Sequence, residues 1–370
     1  MTQASIAAVA DQSTRFAAAH RVLQDAVASR AFPGCAFGVW AQDQLLLEDA
    51  IGRFTYDDSS PSVTPQTVFD VASVTKVAST TAAAMLLHQR GLLDLDTALG
   101  DLLPGFVIGR EHGSPAFHVQ IHHLLAHSSG LPGYVDFFRT HATALGLLRA
   151  CLELPIEAEP GSRAEYSDPG FILLGKALEV ITREPLAYWV HREIFQLLGM
   201  TSTCFVPPAP ARESIPPTEE DTTFRHRIIQ GEVQDENASV LGGCAGHAGL
   251  FSNVADLLKY AAEILAAAHP NSGSAKLFSQ DTIDFFSGRQ PPEGSSRALG
   301  WDTPSPDSTT GQQFSQHTIG HIGFSGCTLW IDLDASVAVA LLTNRTWPDR
   351  QNRAIRQMWP AFHDAVRGAL

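Results

Sequence analysis

The sequence predicts an α+β fold, in which a lobe built on an antiparallel sheet flanked by helices holds an inserted, mostly helical lobe. Segments rich in β-forming residues lie towards both ends of the chain, at residues 35–41, 45–51, 327–333 and 336–344. Between them the pattern is helical and is broken by proline and glycine. A chain of 370 residues, 44% of them hydrophobic, can bury a full core, so two lobes are expected.

The individual strands and helices predicted from the sequence agree with this plan. The segments at residues 35–41 and 45–51 are joined by a polar turn and predict a hairpin, and residues 336–344 are apolar enough for a central strand. Helices are predicted at residues 13–29, from about Ser73 to Gly91, at residues 253–268 with Ser252 or Asn253 as cap, and at residues 352–367. Residues 205–221 are rich in proline and predict a return segment without internal structure.

The order of these elements predicts the domain organisation. Residues 1–91 and 226–370 are assigned to the sheet lobe, because strands at both ends of a chain can close one antiparallel sheet. Residues 92–225 are assigned to the inserted helical lobe, which includes the proline-rich return. The candidate active site is expected at the interface between the two lobes.

Composition excludes several classes of function. The net charge of −14 argues against nucleic acid or a membrane surface as partner, and no segment approaches the ~20 apolar residues of a membrane span. The first residues lack a basic and then apolar signal sequence. Five scattered cysteines with no Cys-x-x-Cys fit a reduced, cytoplasmic protein. A periplasmic or secreted location is the alternative if a signal sequence was removed. The expected partner is a small-molecule or peptide substrate, with no metal or cofactor; the oligomeric state stays open.

The sharpest local signal is Ser73-Val74-Thr75-Lys76 at the start of the second predicted helix. Residues three apart share a helix face, so the amine of Lys76 can reach the hydroxyl of Ser73. The spacing alone is common. However, the chain has only four lysines against 21 arginines, and arginine cannot lose its proton whereas a desolvated lysine can. A nucleophile and its base are therefore favoured over a solvated surface lysine.

Two further motifs complete a pattern: Tyr166-Ser167-Asp168, and His321-Ile322-Gly323 followed by Phe324 at the head of a strand. In order and separation the three resemble the serine β-lactamase and penicillin-binding-protein superfamily, in its class C and D,D-peptidase-like branch. The segments at residues 123–132 and 245–252 are similar to that branch too, so the resemblance spans nearly the whole chain. It implies a β-lactamase/transpeptidase-like fold.

The resemblance also implies roles for individual residues. Ser73 would attack a carbonyl and form an acyl-enzyme, while Lys76 and Tyr166 would share proton transfer. The backbone N–H groups of Ser73 and Phe324 would form the oxyanion hole. Substrate contacts are expected from Tyr134, Asp168, His321 and Gly323. For Tyr134, ordinary packing between the lobes is an open alternative.

Two departures from the lactamase pattern bear on the substrate. Asp168 replaces the usual asparagine, so the amide donor is lost and a carboxylate can pair with Lys76 instead. His321-Ile322 replaces Lys-Thr, which weakens the anchor for a β-lactam carboxylate, because histidine is mostly neutral at pH 7 and isoleucine has no hydroxyl. For His321, a plain hydrogen bond at a strand start is the competing interpretation.

Other polar residues leave alternatives open. His123 and His127 are spaced to hold a metal on a helix, but capping of a loop beside the cleft is favoured over a metal site. His247, among glycines, could contact the site or close a turn. Glu219 and Glu220 could recognise an amine or be solvated.

The resulting functional prediction is a serine hydrolase that acts through an acyl-enzyme on an amide or ester. Cell-wall peptide or muropeptide fragments are the expected substrates, as for a D,D-peptidase or amidase, with poor activity as a true β-lactamase. A carboxylesterase of the same family is the first alternative. A non-catalytic relative that binds such fragments as a sensor is the second, although a binding role alone does not need a base.

Overall fold

The computed structural model describes residues 14–270, 275–306 and 308–370, and it confirms the α+β class. The strands are β1 Gly34–Ala41, β2 Gln44–Gly52, β3 Phe69–Asp70, β4 Cys204–Phe205, β5 Pro217–Asp221, β6 Arg227–Gln230, β7 Leu250–Ser252, β8 Thr318–Ile322, β9 Thr328–Asp332 and β10 Val337–Thr343.

The helices lie mostly between β3 and β8. They are α1 Ala17–Ala28, α2 Ala82–Gln89, α3 Leu99–Leu102, α4 Ile121–Leu125, α5 Ala144–Leu152, α6 Asp168–Thr182, α7 Leu186–Val190, α8 Gln196–Leu198, α9 Glu236–Val240, α10 Val254–Ala268, α11 Gln280–Ser287 and α12 Ile355–Arg367. A π-helical turn, Lys76–Thr81, leads directly into α2. Asn253 caps α10 by accepting a hydrogen bond from the Asp256 N–H, which decides between the two predicted caps.

The main sheet has the order β2-β1-β10-β9-β8, and all neighbouring strands are antiparallel. Strands from both ends of the chain therefore form one sheet, and the predicted central position of residues 336–344 is confirmed by β10. Alternate residues of β10 enter two different cores: Val339 and Leu341 lie on one face, Ala338 and Ala340 on the other. This period of two is why a fully apolar strand belongs at the centre.

Helices cover both faces of this sheet. On one side, Leu23 of α1 and Phe362 of α12 lie in the same core. On the other, α10 packs so tightly against β1 that a Cβ added to Gly38 would lie 2.6 Å from the Val254 side chain. The close approach requires glycine in the middle of a strand that is otherwise well suited to side chains.

A glycine-rich loop at residues 242–249 packs against the helical region. A Cβ on Gly246 would overlap the carbonyl oxygen of Phe171 and would lie 3.0 Å from the Cα of Gly175, both in α6. The Thr80 hydroxyl also donates to the Gly246 carbonyl oxygen (2.7 Å). The loop is thus held against both α6 and the π-helical turn that follows Ser73.

Three predictions of local structure need correction. The return segment at residues 205–221 is not without structure, since it holds a 3-10 helix, Ala209–Ser214, and strand β5. Strand β8 was not predicted, because glycine and histidine interrupt its apolar pattern. The last helix begins at Ile355, not at residue 352.

Three sequence predictions concern the chain as a whole. The division into lobes at residues 91/92 and 225/226 stays a prediction; the second of these points falls in the turn between the paired strands β5 and β6. Within the described ranges, no helix has the length and apolarity that crossing a membrane requires. All five cysteines are free thiols.

The contact between Gly246 and α6 generates a test of stability. We expect Gly246→Ala to lower the free energy of unfolding by about 1–3 kcal/mol, since the added methyl group must displace backbone atoms. Urea unfolding followed by circular dichroism measures the change. Gly288→Ala is the control, because its Cβ would meet nothing closer than 3.8 Å and its φ is −66°. Equal stability of the two variants would contradict the packing described.

Candidate active site

Ser73 lies in a tight turn between β3 and the helix that begins at Val74. The buried carboxylate of Asp70 accepts a hydrogen bond from the Ala72 N–H (2.8 Å), and Ala72 has a left-handed φ of 47°. The Ser73 carbonyl then accepts from the Lys76 N–H at 3.0 Å, which starts the helix. The hydroxyl of Ser73 is therefore presented at a helix start, where free N–H groups favour negative charge.

The amine of Lys76 is fully buried and is surrounded by three acceptors. Its Nζ donates to Asp168 Oδ1 (2.6 Å), to the His247 carbonyl oxygen (3.0 Å) and to Ser73 Oγ (3.1 Å). A carboxylate and a carbonyl can only accept, so they fix the direction of two N–H bonds. The third position of the nitrogen faces the Ser73 hydroxyl, as an N–H when the amine is charged and as a lone pair when it is neutral.

Tyr166 completes the contacts of the serine. Its hydroxyl lies 2.7 Å from Ser73 Oγ, and its ring lies over the Lys76 amine at 4.8 Å. The ring packs on His127, with 4.6 Å between centroids. His127 Nδ1 accepts from the Ser167 N–H (2.9 Å), which fixes the backbone immediately after the tyrosine. The second motif is thus positioned by a histidine from the loop that follows α4.

The charges of this group set its resting state. Burial lowers the pKa of Lys76, but Asp168 and the Tyr166 oxygen raise it by more, so the pKa lies above its usual value. Burial, and then the Asp168 charge, raise the pKa of Tyr166, against the opposing effect of Lys76. At neutral pH the amine is therefore charged and the phenol neutral. Lys76 becomes a base only after it releases one proton.

His321 lies at the end of β8, which corrects the expectation of a strand start. Its Nδ1 donates to the Ile322 carbonyl oxygen at 2.7 Å, and its Nε2 has no hydrogen-bond partner among the described residues. Burial, Lys76 and Arg297 lower its pKa far below the usual value. The imidazole is therefore neutral, and it offers an acceptor to the site instead of a cation.

The turn at residues 323–326 brings Phe324 beside the tight turn that holds Ser73. The Gly323 N–H donates to the Cys327 carbonyl oxygen (2.7 Å), and a Cβ on Gly323 would overlap the Val71 carbonyl oxygen. Only glycine therefore allows this turn to approach the backbone that leads to Ser73. Within the described ranges, the N–H groups of Ser73 and Phe324 donate to no other protein group. Two donors with no internal partner are what an oxyanion hole requires.

A cavity of about 590 Å³ opens above these groups. Ser73, Tyr166 and Asp168 line it together with His321, Gly323 and Phe324, so one site collects all three motifs. Tyr134 also lines the cavity and is 46% exposed. The cavity wall also contains Asp235, which caps α9 and accepts from His247 Nε2 at 2.9 Å.

The remaining polar candidates have local partners. His123 Nδ1 accepts from the Gln120 N–H in a capping box, so this residue caps the start of α4 and not a loop beside the cleft. Within the described ranges, no three His, Cys, Asp or Glu side chains lie together as a metal ion would need. Glu219 is buried and paired with Arg350 at 2.7 Å, so solvation is wrong for it, while Glu220 is exposed. His247 both lines the cavity and holds Lys76 through its carbonyl.

Sequence reasoning missed the arginines of the cavity wall. Six line it: Arg139, Arg297, Arg345, Arg350, Arg353 and Arg356. One signal could have found them, since four of the chain's 21 arginines occur within residues 345–356. Such a cluster in an acidic chain indicates a place where negative charge is expected.

Known proteins are similar to this chain along most of its length. The family model described as Beta-lactamase matches residues 19–359. An N-acetylmuramyl-L-alanine amidase of Bacillus subtilis (strain 168) is 29% identical over 353 residues, 85% of this chain and 77% of that protein. A protein of Escherichia coli O157:H7, named provisionally as a D-alanyl-D-alanine carboxypeptidase, is 30% identical over 347 residues, covering 85% and 79%.

Solved structures show the same fold. One titled "EstCE1, a hydrolase with promiscuous acyltransferase activity" has a TM-score of 0.76 at 21% identity, covering 97% of this chain and 100% of that one. A class C beta lactamase from Rhodobacter sphaeroides has a TM-score of 0.72 at 21% identity, covering 94% and 98%. The fold is therefore β-lactamase/transpeptidase-like.

The Lys76–Asp168 contact predicts a pH effect. Asp168 raises the pKa of both Lys76 and Tyr166, so Asp168→Asn lowers both and makes a base available at lower pH. We expect the rising limb of kcat/KM against pH for a neutral ester to move to lower pH in this variant. Asp25→Asn, an exposed change on α1, should leave the limb in place. A limb that stays fixed, or that moves to higher pH, in Asp168→Asn would contradict the described charges.

Proposed function

Because this chain belongs to the beta-lactamase family and is a serine hydrolase, we propose that it cleaves an amide or ester of a cell-wall peptide or muropeptide fragment through an acyl-enzyme on Ser73. The observation that carries the proposal is the contact of Ser73 Oγ with both Lys76 Nζ and the Tyr166 hydroxyl at the base of the cavity. A structural serine needs neither a buried amine nor a buried phenol.

The reaction proceeds in two steps. Ser73 Oγ attacks the substrate carbonyl while its proton passes to the neutral Lys76 amine, directly or through the Tyr166 hydroxyl. The N–H groups of Ser73 and Phe324 stabilise the oxyanion. As the tetrahedral intermediate collapses, the leaving group takes a proton from the same network. Water then attacks the acyl ester of Ser73, its proton passes to the network, and the serine is restored.

Cell-wall fragments are favoured as substrates by the relatives that match along most of the chain. One is named as an amidase of N-acetylmuramyl-L-alanine and another, provisionally, as a D-alanyl-D-alanine carboxypeptidase. The free thiols support work in a reducing compartment. We propose a cytoplasmic location, where its substrates would be released fragments and not the intact wall.

A carboxylesterase is the second candidate. The observation that favours it is the apolar part of the cavity wall, where Phe138, Ile322, Phe324, Ile355 and Trp359 lie. Such a surface would bind a hydrophobic acyl or alcohol group without the directional contacts that a peptide needs. Efficient cleavage of β-lactams is disfavoured, because neutral His321 supplies no cation beside the scissile bond.

Substitutions of the nucleophile and of the base should abolish or reduce hydrolysis, whereas a matched substitution outside the site should not. We expect Ser73→Ala to abolish hydrolysis of p-nitrophenyl acetate, and Lys76→Arg to reduce it nearly as much, since arginine keeps the charge but cannot act as a base. Lys176→Arg, in a partly exposed pair with Glu179, is the matched control and should remain active. Appreciable turnover by Ser73→Ala would remove Ser73 from the proposed role.

The substrate class has its own test. Wild-type protein is incubated with muropeptides, p-nitrophenyl esters and nitrocefin, and intact mass and released products are recorded. The proposal expects acylated protein that Ser73→Ala does not form, product from muropeptides, and slow turnover of nitrocefin. Cleavage of esters alone would favour the carboxylesterase, and efficient nitrocefin hydrolysis would contradict the role given to His321.

A further inference from the structure

The arginines of the cavity wall divide into two groups. Three of them face carboxylates: Arg139 with Asp136 (2.6 Å), Arg350 with Glu219 (2.7 Å) and Glu236 (2.6 Å), and Arg297 with Asp302 (3.7 Å). The other three, Arg345, Arg353 and Arg356, form no ion pair with any described residue. We call these three the arginine triplet.

Arg345 is the buried member of the arginine triplet, with only 7% of its surface exposed. Its Nε donates to the Phe324 carbonyl oxygen (2.7 Å), and its Nη1 donates to the carbonyl oxygens of Arg350 (2.9 Å) and Asn352 (2.8 Å). The guanidinium carbon lies 4.4 Å from the centre of the Phe324 ring. The charge of Arg345 therefore lies against Phe324, the residue whose N–H is assigned to the oxyanion hole.

Arg353 and Arg356 are exposed, and their side chains make no hydrogen bond within the described ranges. Their charges reach Arg345, because burial and then the repulsion of Arg353, Arg356 and Arg350 lower the pKa of its guanidinium to about 10. Uncompensated like charges next to a buried guanidinium destabilise the fold. Glu219 opposes this repulsion, but its carboxylate is already paired with Arg350. Among the described residues, no carboxylate forms an ion pair with Arg353 or Arg356, although the chain carries 39 acidic residues.

We propose that the arginine triplet binds an anionic group of the substrate, a carboxylate or a phosphate. This group lies at a distance from the scissile carbonyl. The proposal deepens the proposed function and rests on it, since the triplet and Ser73 line one cavity. Guanidinium groups suit both anions, because their planar donors match the oxygens of carboxylates and phosphates. The site would select negatively charged fragments over neutral esters of the same shape.

The test compares matched esters that differ only in charge. The first probes carry the charge on the leaving group: 3-acetoxybenzoate, its neutral carboxamide 3-acetoxybenzamide, and 3-acetoxyphenyl phosphate. The second probes carry it on the acyl group: the mono-p-nitrophenyl ester of glutaric acid and, as its neutral partner, the corresponding amide. The proteins are wild type, the double variant Arg353→Gln/Arg356→Gln, and the control Arg21→Gln/Arg149→Gln. The control removes two exposed arginines that lie outside the cavity wall, so the net charge changes equally.

In wild type, the ratio of kcat/KM for an anionic ester to kcat/KM for its neutral partner should exceed one. This should hold either for the esters charged on the leaving group or for those charged on the acyl group. This ratio should fall about tenfold or more in Arg353→Gln/Arg356→Gln and should persist in the control. Added salt should lower the ratio in wild type. A preference for the carboxylate or for the phosphate identifies the natural anion. A ratio at or below one in wild type for both probe series would overturn the proposal. A ratio above one that the double variant retains would also overturn it.

Failure of the proposed function would look different. If the protein hydrolysed none of the esters, calorimetry with 3-hydroxybenzoate and 3-hydroxybenzamide would still measure the preference for the anion. Binding of the benzoate that the double variant loses and the control keeps would support the arginine triplet without any turnover. Equal binding of the acid and the amide would overturn it.

Discussion

A buried ammonium group destabilises a protein unless acceptors are delivered to it, and Lys76 receives its acceptors from three separate segments. Asp168 comes from the first turn of α6, the His247 carbonyl from the glycine-rich loop, and Ser73 from the turn before the lysine's own helix. Each segment is positioned by other contacts, such as the packing of Gly246 on α6. The charge of one amine thus depends on the packing of much of the helical region.

The same pairing that makes the burial tolerable also limits reactivity. Asp168 stabilises the charged amine, which is the form that cannot take a proton from Ser73. Tyr166 gives no easy substitute, since burial and Asp168 hold it as a neutral phenol. A site arranged in this way is stable at rest and gains its base only when a proton leaves the network. Stability and activity therefore oppose each other around a single carboxylate.

Local patterns in the sequence predicted much of the fold, and the limits of that prediction have physical causes. The Ser73–Lys76 spacing follows from helix geometry, and the central β10 from its unbroken apolar run. Tyr166 lies 93 residues from the serine that it contacts, so no local pattern places it there and the family resemblance had to. The burial of Glu219 depends on Arg350, 131 residues later, and was missed for the same reason. Strand β8 was missed because Gly320, which packs against the Trp330 ring, and His321, which lines the cavity, interrupt its apolar pattern.

The protonation state of Lys76 in the free protein tests this account most directly. The chain has only four lysines, so a sample with ¹⁵N-labelled lysine side chains gives few signals, and loss of one in Lys76→Arg assigns it. Followed by NMR as pH rises, the Lys76 signal should remain that of a charged ammonium through neutral pH and into the alkaline range, and should titrate at lower pH in Asp168→Asn. A Lys76 signal that is already that of a neutral amine at neutral pH would contradict the account.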